Sequence, residues 1–255
     1  MWNWVEKLSE LQAKESPMVL VTVTGSRGSA PREVGAKMIV LADGTIFGTI
    51  GGGAVEHWVI AEAQKCLTDG ATRTADCDLG KDLKMPCGGQ MSFLMEVFHR
   101  RPGLYVFGGG HVGQAVCRVL TDTPFAVHVI DERAEWICAD RFPPGVIRHH
   151  KAWAAFVNAA RWDGQWTYVA ILTHEAELDQ KILKEVLRKP ARYVGMIGSR
   201  AKWEKMKGDL AADGVPKKDL ERVHCPLGLA SVKGKSPQEI AVSLAAEILS
   251  IHDGK

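Results

Sequence analysis

A glycine-rich turn between two apolar runs constrains this 255-residue chain more than any other feature. The first run, 104–107, ends in the residues GGGHVG at 108–113, a helical pattern follows to Leu120, and the second run ends on Asp131. Strand, glycine turn, helix, strand and acid in this order are typical of a dinucleotide-type βαβ unit, in which the acid lies about 20 residues beyond the glycines. The sequence therefore predicts a Rossmann-like unit.

The spaced glycines of this turn have separate predicted roles. Gly108 allows the tight turn, Gly110 lets a phosphate approach the backbone, and Gly113 lets the helix pack close to the strand. The N-terminus of the helix also offers unpaired N–H groups and a partial positive charge to an anion. We therefore expect these glycines to contact a cofactor phosphate, with His111 as a further candidate ligand or merely a filler of the turn.

Polar residues follow three further predicted strands. In an open α/β sheet, the loops at the carboxyl ends of the strands line the ligand crevice. Asp131 suits the ribose hydroxyls of an NAD-type ligand, or alternatively caps a helix or forms a surface ion pair with Arg133. His174 is expected to contact a ligand or to cap its own helix. Ser199 and Arg200 predict a second anion site, or a helix cap followed by a surface arginine.

Strands and helices are predicted to alternate from residue 104 onward. This alternation favours a parallel sheet with helices on both faces. Thr173 is expected to cap the helix that follows it. The segment 99–103 is polar and rich in turn residues, and it predicts a domain boundary. The fold class is thus α/β, with an N-terminal α+β domain over residues 1–99 and a Rossmann-like, doubly wound parallel-sheet domain over residues 103–255.

The first domain carries its own candidate binding residues. Two arginines in a glycine- and serine-rich loop, Arg27 and Arg32, can approach one anionic ligand. A glycine triplet before a helix could receive a phosphate or allow the helix to pack closely on the sheet; it consists of Gly51, Gly52 and Gly53. Cys87, between a proline and two glycines, is either a soft metal ligand or a buried inert thiol.

Composition excludes several classes of function. The formal net charge is +2 and there is no lysine or arginine run, so nothing indicates a nucleic-acid partner. The apolar segments are shorter than a membrane span and the N-terminus lacks the pattern of a signal peptide, so we expect no membrane partner and a cytoplasmic protein. Six cysteines without a C-x-x-C pair do not predict a zinc ribbon. The absence of nucleophile-elbow, Walker and paired-histidine motifs favours binding over catalysis.

Nine segments of the chain resemble those of the XdhC/CoxI family of xanthine dehydrogenase accessory proteins. They extend through most of the chain in the order of the family: GSRGSAPREVGAKM (25–38), GTIGGGAVEHW (48–58), PCGG (86–89), FGGGHVG (107–113), VIDER (129–133), LTHEAELD (172–179), MIGSRAKWEKM (196–206), HCPLGL (224–229) and KGKSPQEIAVSLAAEIL (233–249).

The resemblance implies a chaperone rather than an enzyme. A protein of this kind binds the molybdenum cofactor (molybdopterin), shields it, supports its sulfuration by a cysteine desulfurase and delivers it to the molybdenum subunit of xanthine dehydrogenase. We expect the cofactor phosphate at 108–113 and the molybdenum near Cys87 and Glu56. The resemblance also suggests a homodimer. The alternatives are an NAD(P)-dependent oxidoreductase, indicated by Asp131, and a nucleotide-sensing regulatory protein.

Overall fold

The computed structural model describes residues 3–14, 16–84, 88–98 and 101–253. The chain divides into two compact units, Met1–Arg100 and Arg101–Lys255, and each is described by itself. No helix in the described ranges is both long enough and apolar enough to cross a membrane.

Unit 1 is a five-stranded antiparallel sheet with two helices. Its elements are α1 (Trp4–Ala13), β1 (Met18–Arg27), β2 (Lys37–Leu41), β3 (Ile46–Gly48), α2 (Gly53–Asp69), β4 (Arg73–Asp78) and β5 (Gln90–Phe98). The strand order is β3-β2-β1-β5-β4.

Strand β1 lies at the centre of this sheet and is buried on both faces. Because side chains alternate along a strand, Val19 and Val21 share one apolar cluster with Val55 and Val59 of α2. On the opposite face, Leu20 belongs to a second cluster that also contains Leu11 of α1, together with Met18 and Ile39. Burial on both faces explains why β1 reads in the sequence as a continuous apolar run.

Unit 2 contains a six-stranded parallel sheet. Its strands are β6 (Gly103–Phe107), β7 (Ala126–Asp131), β8 (Ile147–His150), β9 (Asp163–Ile171), β10 (Ala191–Met196) and β11 (Val223–His224). Its helices are α3 (His111–Leu120), α4 (Trp153–Ala159), α5 (Ala176–Val186), α6 (Arg200–Ala212), α7 (Lys217–Leu220) and α8 (Pro237–Asp253), and two 3-10 turns follow β7, at Ala134–Trp136 and Ala139–Arg141. The strand order is β11-β10-β9-β6-β7-β8, and every pairing is parallel.

Helices cover both faces of this sheet, which confirms the doubly wound fold class. Leu104 and Val106 of β6 share an apolar cluster with residues of α3 and α8. Tyr105 and Phe107, which point to the other face, share a cluster with residues of α4, α5 and α6. The strand order reverses between β6 and β9, and a crevice forms outside the carboxyl ends of strands at such a reversal.

Two details of unit 2 differ from the sequence expectations. Strand β11 was not predicted, because two residues carry no readable alternation. The expected capping of α5 by Thr173 is wrong. The N-cap of α5 is Glu175, without a side-chain cap, and the hydroxyl of Thr173 instead donates to Oδ1 of the buried Asp179, at 2.5 Å. Thr173 lies two residues before the N-cap, and its hydroxyl accepts from the N–H of Glu175 at 3.3 Å rather than from an N–H group of the helix.

Candidate functional site

The glycine turn of unit 2 brings α3 against the end of β6. A Cβ on Gly113 would lie 2.0 Å from the carbonyl oxygen of Gly108, so helix and turn can approach only without a side chain there. Gly108 itself has a φ of +112°, and a Cβ at this position would lie 2.6 Å from the carbonyl oxygen of Leu172 in the loop after β9. Both predicted packing roles of these glycines correspond to contacts that no other residue would tolerate.

The N-terminus of α3 has no side-chain cap. Its N-cap is Gly110, and a Cβ built there would meet no other atom within 4 Å. The first N–H groups of a helix have no partner within the helix, so those of His111, Val112 and Gly113 point beyond its end. Gln114, which is buried, donates from Nε2 to the carbonyl oxygen of Gly109 at 2.8 Å and so steadies the turn. This helix end is open to an anion.

Asp131, at the end of β7, accepts four hydrogen bonds from the chain. Oδ2 accepts from the N–H of Gly109 at 2.8 Å and from Nη2 of Arg133 at 2.7 Å. Oδ1 accepts from Nε of Arg133 at 2.9 Å and from its backbone N–H at 3.0 Å. Burial would raise the pKa of Asp131, but these hydrogen bonds outweigh it and hold the pKa below its ordinary value. The structure thus contains the Asp131–Arg133 ion pair; whether Asp131 also contacts a ligand stays a prediction.

The segment after β7 folds back over the glycine turn. A Cβ on Gly109 would lie 2.6 Å from the carbonyl oxygen of Trp136. The guanidinium groups of Arg133 and Arg141 both lie over the ring of Trp136, at 5.3 and 4.9 Å from its centroid. The exposed ring of His111 packs edge-on against the same indole. His111 is therefore placed beside the open helix end by an aromatic contact.

A cavity of about 270 Å³ lies at the carboxyl ends of the strands around the reversal point. Apolar side chains and several charged groups line it: Phe107, Ile130, Trp153, Leu178 and Ile182, with Asp131, Glu132, Arg133, Lys151, Thr173, His174 and Glu175, and the backbone of Gly108. Of the sequence-predicted residues, the structure brings Gly108, Asp131 and His174 together here. A pocket that combines apolar walls with convergent polar groups is typical of a site for a small molecule or cofactor, and the polar groups are numerous here.

Ser199 and Arg200 lie at the end of β10. The hydroxyl of Ser199 accepts from the N–H of Lys202 at 3.1 Å, so Ser199 caps α6, and Arg200 is exposed. Lys202 reaches back to donate to Oδ2 of Asp179 at 3.0 Å. Burial outweighs the hydrogen bonds to this carboxylate and raises the pKa of Asp179. Ser199 caps the helix and Arg200 lies at the surface, as one of the two sequence interpretations expected. The binding of an anion by Ser199 and Arg200 stays a prediction.

Three of the predicted motifs meet in unit 1. Ser29 pairs with Gly88 in an isolated parallel bridge, and a Cβ on Gly89 would lie 2.5 Å from the carbonyl oxygen of Ser29. Pro31 of the same loop touches Gly51, where a Cβ would lie 2.5 Å from the proline Cγ. The loop 25–32, the glycine triplet and the Gly88–Gly89 pair therefore form one cluster. Both arginines are exposed, but Arg27 is the last residue of β1 and pairs with Gln90, so only Arg32 lies in the loop as expected.

Glu56 holds the glycine triplet in its conformation. Its Oε1 accepts from the N–H of Ile50 at 3.2 Å, from the N–H of Gly52 at 2.9 Å and from the hydroxyl of Thr49. Gly51, Gly52 and Gly53 have φ values of +134°, +77° and +62°, which side-chain-bearing residues rarely adopt. The carboxylate of Glu56 thus binds the N–H groups of Ile50 and Gly52, which an anionic ligand would otherwise have to bind.

Cys87 lies outside the residues that the structure describes, and its predicted role as a metal ligand stays a prediction. Arg27 lines a separate cavity of about 560 Å³ in unit 1, together with the three carboxylates of Asp76, Asp78 and Asp82. In the described part of the chain, no group of three or more histidine, cysteine, aspartate and glutamate side chains is arranged to hold a metal ion.

Sequence reasoning missed several residues of the crevice. Lys151 and Trp153 line the cavity directly after β8, where the rule about strand ends could have found them. Asp179 carried no signal, because it lies within the helical pattern of α5 and only the fold brings it under Thr173. Gln114 likewise looks like an ordinary helix residue in the sequence.

The ion pair of Asp131 predicts a pH-dependent loss of stability. A lowered folded-state pKa contributes stability that is present above the ordinary aspartate pKa of about 3.9 and is lost as the pH falls through the folded value. We expect Asp131→Asn to lower the free energy of unfolding by about 2 kcal/mol at pH 7, since charge-assisted hydrogen bonds are lost. The deficit should shrink below about pH 4.

Denaturant unfolding of both proteins at pH 7 and pH 3 measures this effect. The exposed residue Asp209 provides a matched control, and Asp209→Asn should stay within about 0.5 kcal/mol of the wild type at pH 7. A deficit of Asp131→Asn that is equal at both pH values would contradict the role of the charge.

Two family descriptions match the chain. The XdhC Rossmann domain matches residues 104–248, and the XdhC and CoxI family matches residues 11–78. Among solved structures, a crystal structure described as a xanthine dehydrogenase from Bacillus halodurans is 20% identical and covers 100% of this chain and 97% of its own, with a TM-score of 0.56. That likeness concerns the fold alone.

Three curated relatives are similar in sequence. YqeB of Escherichia coli K12 is 32% identical over 98% of this chain and 46% of its own length. The molybdenum cofactor insertion chaperone PaoD of the same organism is 24% identical, over 91% of this chain and 83% of its own. A protein of Bacillus subtilis 168 that is described as a probable subunit of xanthine dehydrogenase is 26% identical, over 58% of this chain and 42% of its own. The chain thus spans less than half the length of two of these relatives.

The family descriptions cover both units, and the Rossmann match alone spans more than half of the 255 residues. The glycine turn, the crevice and the parallel sheet all lie within that match. The chain belongs to the XdhC and CoxI family.

Proposed function

We propose that this protein is a molybdenum cofactor chaperone that binds molybdopterin and protects it. The observation that carries the proposal is the uncapped N-terminus of α3, which follows the glycine turn whose Gly108 lines the crevice and which has no side chain at Gly110 to occupy it. Molybdopterin carries a phosphate, and backbone N–H groups at a helix N-terminus are suited to hold one. The similarity to PaoD, which is named as a molybdenum cofactor insertion chaperone, supports the same ligand.

The proposed binding residues in unit 2 follow the carboxyl ends of β6, β9 and β10. Gly108, Gly110, His111 and Gly113 hold the phosphate, and the apolar cavity wall at Trp153 offers a surface to the planar pterin. His174 at the cavity rim contacts polar atoms of the ligand, and Ser199 with Arg200 provides the second anion contact.

In unit 1, we propose that the loop cluster contacts the molybdenum end of the cofactor. Arg27, Arg32, Glu56 and Cys87 take part together with the glycine triplet 51–53, and a thiolate is a suitable soft ligand. When bound, the cofactor supplies a dithiolene-held molybdenum that is sensitive to oxidation. The part of the protein is to bind this group and to keep oxidant away from it.

The biological role extends to two partners. We propose that the chaperone supports sulfuration of the cofactor by a cysteine desulfurase and then delivers it to the molybdenum subunit of xanthine dehydrogenase. The similarity to the probable xanthine dehydrogenase component of Bacillus subtilis supports this recipient. A homodimer is the proposed assembly. A non-catalytic role is also proposed, and the similarity to PaoD, which is named as an insertion chaperone, supports it.

Anoxic titration of the purified protein tests the ligand. Molybdenum cofactor and NADH are added separately, and binding is followed by fluorescence and by retention on a desalting column. We expect retention of the cofactor and no retention of NADH. Tight NADH binding without cofactor binding would overturn the proposal in favour of an NAD(P)-dependent oxidoreductase.

A substitution at Gly110 tests the phosphate position. Space around Gly110 admits a side chain, and aspartate is a favoured N-cap residue, so Gly110→Asp should preserve or raise stability. Its negative charge would occupy the anion position, and we expect cofactor affinity to fall at least about tenfold.

The matched variant is Gly110→Ser, which caps the helix without a charge. It should fold equally well and lose much less affinity than the aspartate variant. Equal cofactor affinity in the wild type and Gly110→Asp, measured under anoxic conditions, would show that the phosphate lies elsewhere.

Two variants test the contacts in unit 1. Cys87→Ala removes the proposed thiolate ligand, and Glu56→Gln keeps an acceptor for the N–H groups of Ile50 and Gly52 while removing the charge. We expect both to lose bound molybdenum, measured by metal analysis after gel filtration. The control Cys138→Ala removes a thiol of unit 2 that donates to the carbonyl oxygen of Glu135, and this variant should retain molybdenum. Unchanged molybdenum content in both variants would refute the placement.

A further inference from the structure

The acid at the end of β7 has no free acceptor position. An ionised carboxylate offers about four lone-pair sites. Asp131 uses four: one for the N–H of Gly109, one for the N–H of Arg133 and two for the guanidinium of Arg133. In NAD-binding folds, the acid at this position accepts hydrogen bonds from the ribose hydroxyls. A ribose could be bound here only by displacing donors that the chain already provides.

Arg133 is held firmly in this position. Its Nε and Nη2 form a bidentate pair with Asp131, and its guanidinium lies 5.3 Å from the centroid of Trp136. The Asp131 side chain is only 5% exposed, so water weakens the pair little. Charge-assisted bonds of this kind are roughly twice as strong as those from a neutral hydroxyl. Ribose hydroxyls are therefore poor competitors for the carboxylate.

We propose that Arg133 is a specificity-determining residue that excludes NAD-type dinucleotides from the crevice of unit 2. By saturating Asp131, it removes the acceptor for a vicinal diol. No described residue accepts a hydrogen bond from Nη1 of Arg133, so this nitrogen remains for an anionic group of a ligand. The cavity is also lined by Lys151 and by the carboxylates of Glu132 and Glu175, so its charges are mixed. Arg133 therefore discriminates between ligands by using the acceptor positions of Asp131, not by the net charge of the cavity.

This assignment deepens the proposed function, on which it rests for the identity of the bound ligand. Its test does not need the molybdenum cofactor. Removing the guanidinium leaves Asp131 with the two backbone donors, from Gly109 and from residue 133, and frees two acceptor positions for a diol. Arg133→Ala should therefore gain affinity for NADH, by about tenfold or more over the wild type.

The whole chain is titrated with NADH, and binding is followed by nucleotide fluorescence and by calorimetry. The double variant Asp131→Asn/Arg133→Ala should lose the gain, because the acceptor is no longer a carboxylate. Arg141→Ala is the matched control: Arg141 lies over the same Trp136 ring but does not contact Asp131, so NADH binding should equal that of the wild type.

Arg133→Lys provides a second variant if the alanine protein is poorly folded, as judged by circular dichroism. Lysine lacks the guanidinium fork, and a smaller gain in NADH affinity is expected. The assignment is overturned if neither variant gains NADH affinity, or if the gain persists without the Asp131 carboxylate. If the wild type does not retain the molybdenum cofactor, the proposed function is refuted. The comparison of NADH affinities between the variants remains valid in that case.

Discussion

Helix α3 can lie against the end of β6 only because residues 108 and 113 have no side chains. A Cβ on Gly113 would overlap the carbonyl oxygen of Gly108, and one on Gly108 would overlap the loop after β9. This contact brings the helix N-terminus to the point where the strand order reverses. The N–H of Gly109 is then directed at Asp131, and the uncapped end of the helix follows directly on the turn. The contact between the glycine turn and Asp131 depends on this approach.

Carboxylates in both units hold loops in place rather than standing free. Glu56 accepts from the backbone beside the glycine triplet, and Asp131 accepts from the glycine turn and from Arg133. Asp179 accepts from the N–H of Thr173 at 3.2 Å and from Lys202. Because buried carboxylates are costly without donors, each stabilises the loop that supplies them. The first N–H groups of α3, by contrast, have no side-chain cap.

Glycines in unit 1 act mainly as contact points between loops. Gly89 lies against the backbone of Ser29, and Gly51 lies against Pro31. These contacts unite three segments that are far apart in the sequence, and the described residues next to Cys87 belong to them. The distance along the chain between the loops explains why their meeting could not be inferred from any one motif.

The sequence by itself determined the βαβ unit, the doubly wound class of unit 2 and the family. Glycine spacing and apolar periodicity are local properties, and they report directly on the backbone. Short elements such as β11 gave no such signal. The sequence also offered three interpretations of Asp131, as a ribose acceptor, as a helix cap or as a partner of Arg133 in a surface ion pair, and the pair that forms is buried at the carboxylate. Only the tertiary structure showed that donors of the chain already use the acceptor positions of this carboxylate, because the fold is what brings the N–H of Gly109 to it. The same holds for Asp179, whose partners Thr173 and Lys202 lie on other elements.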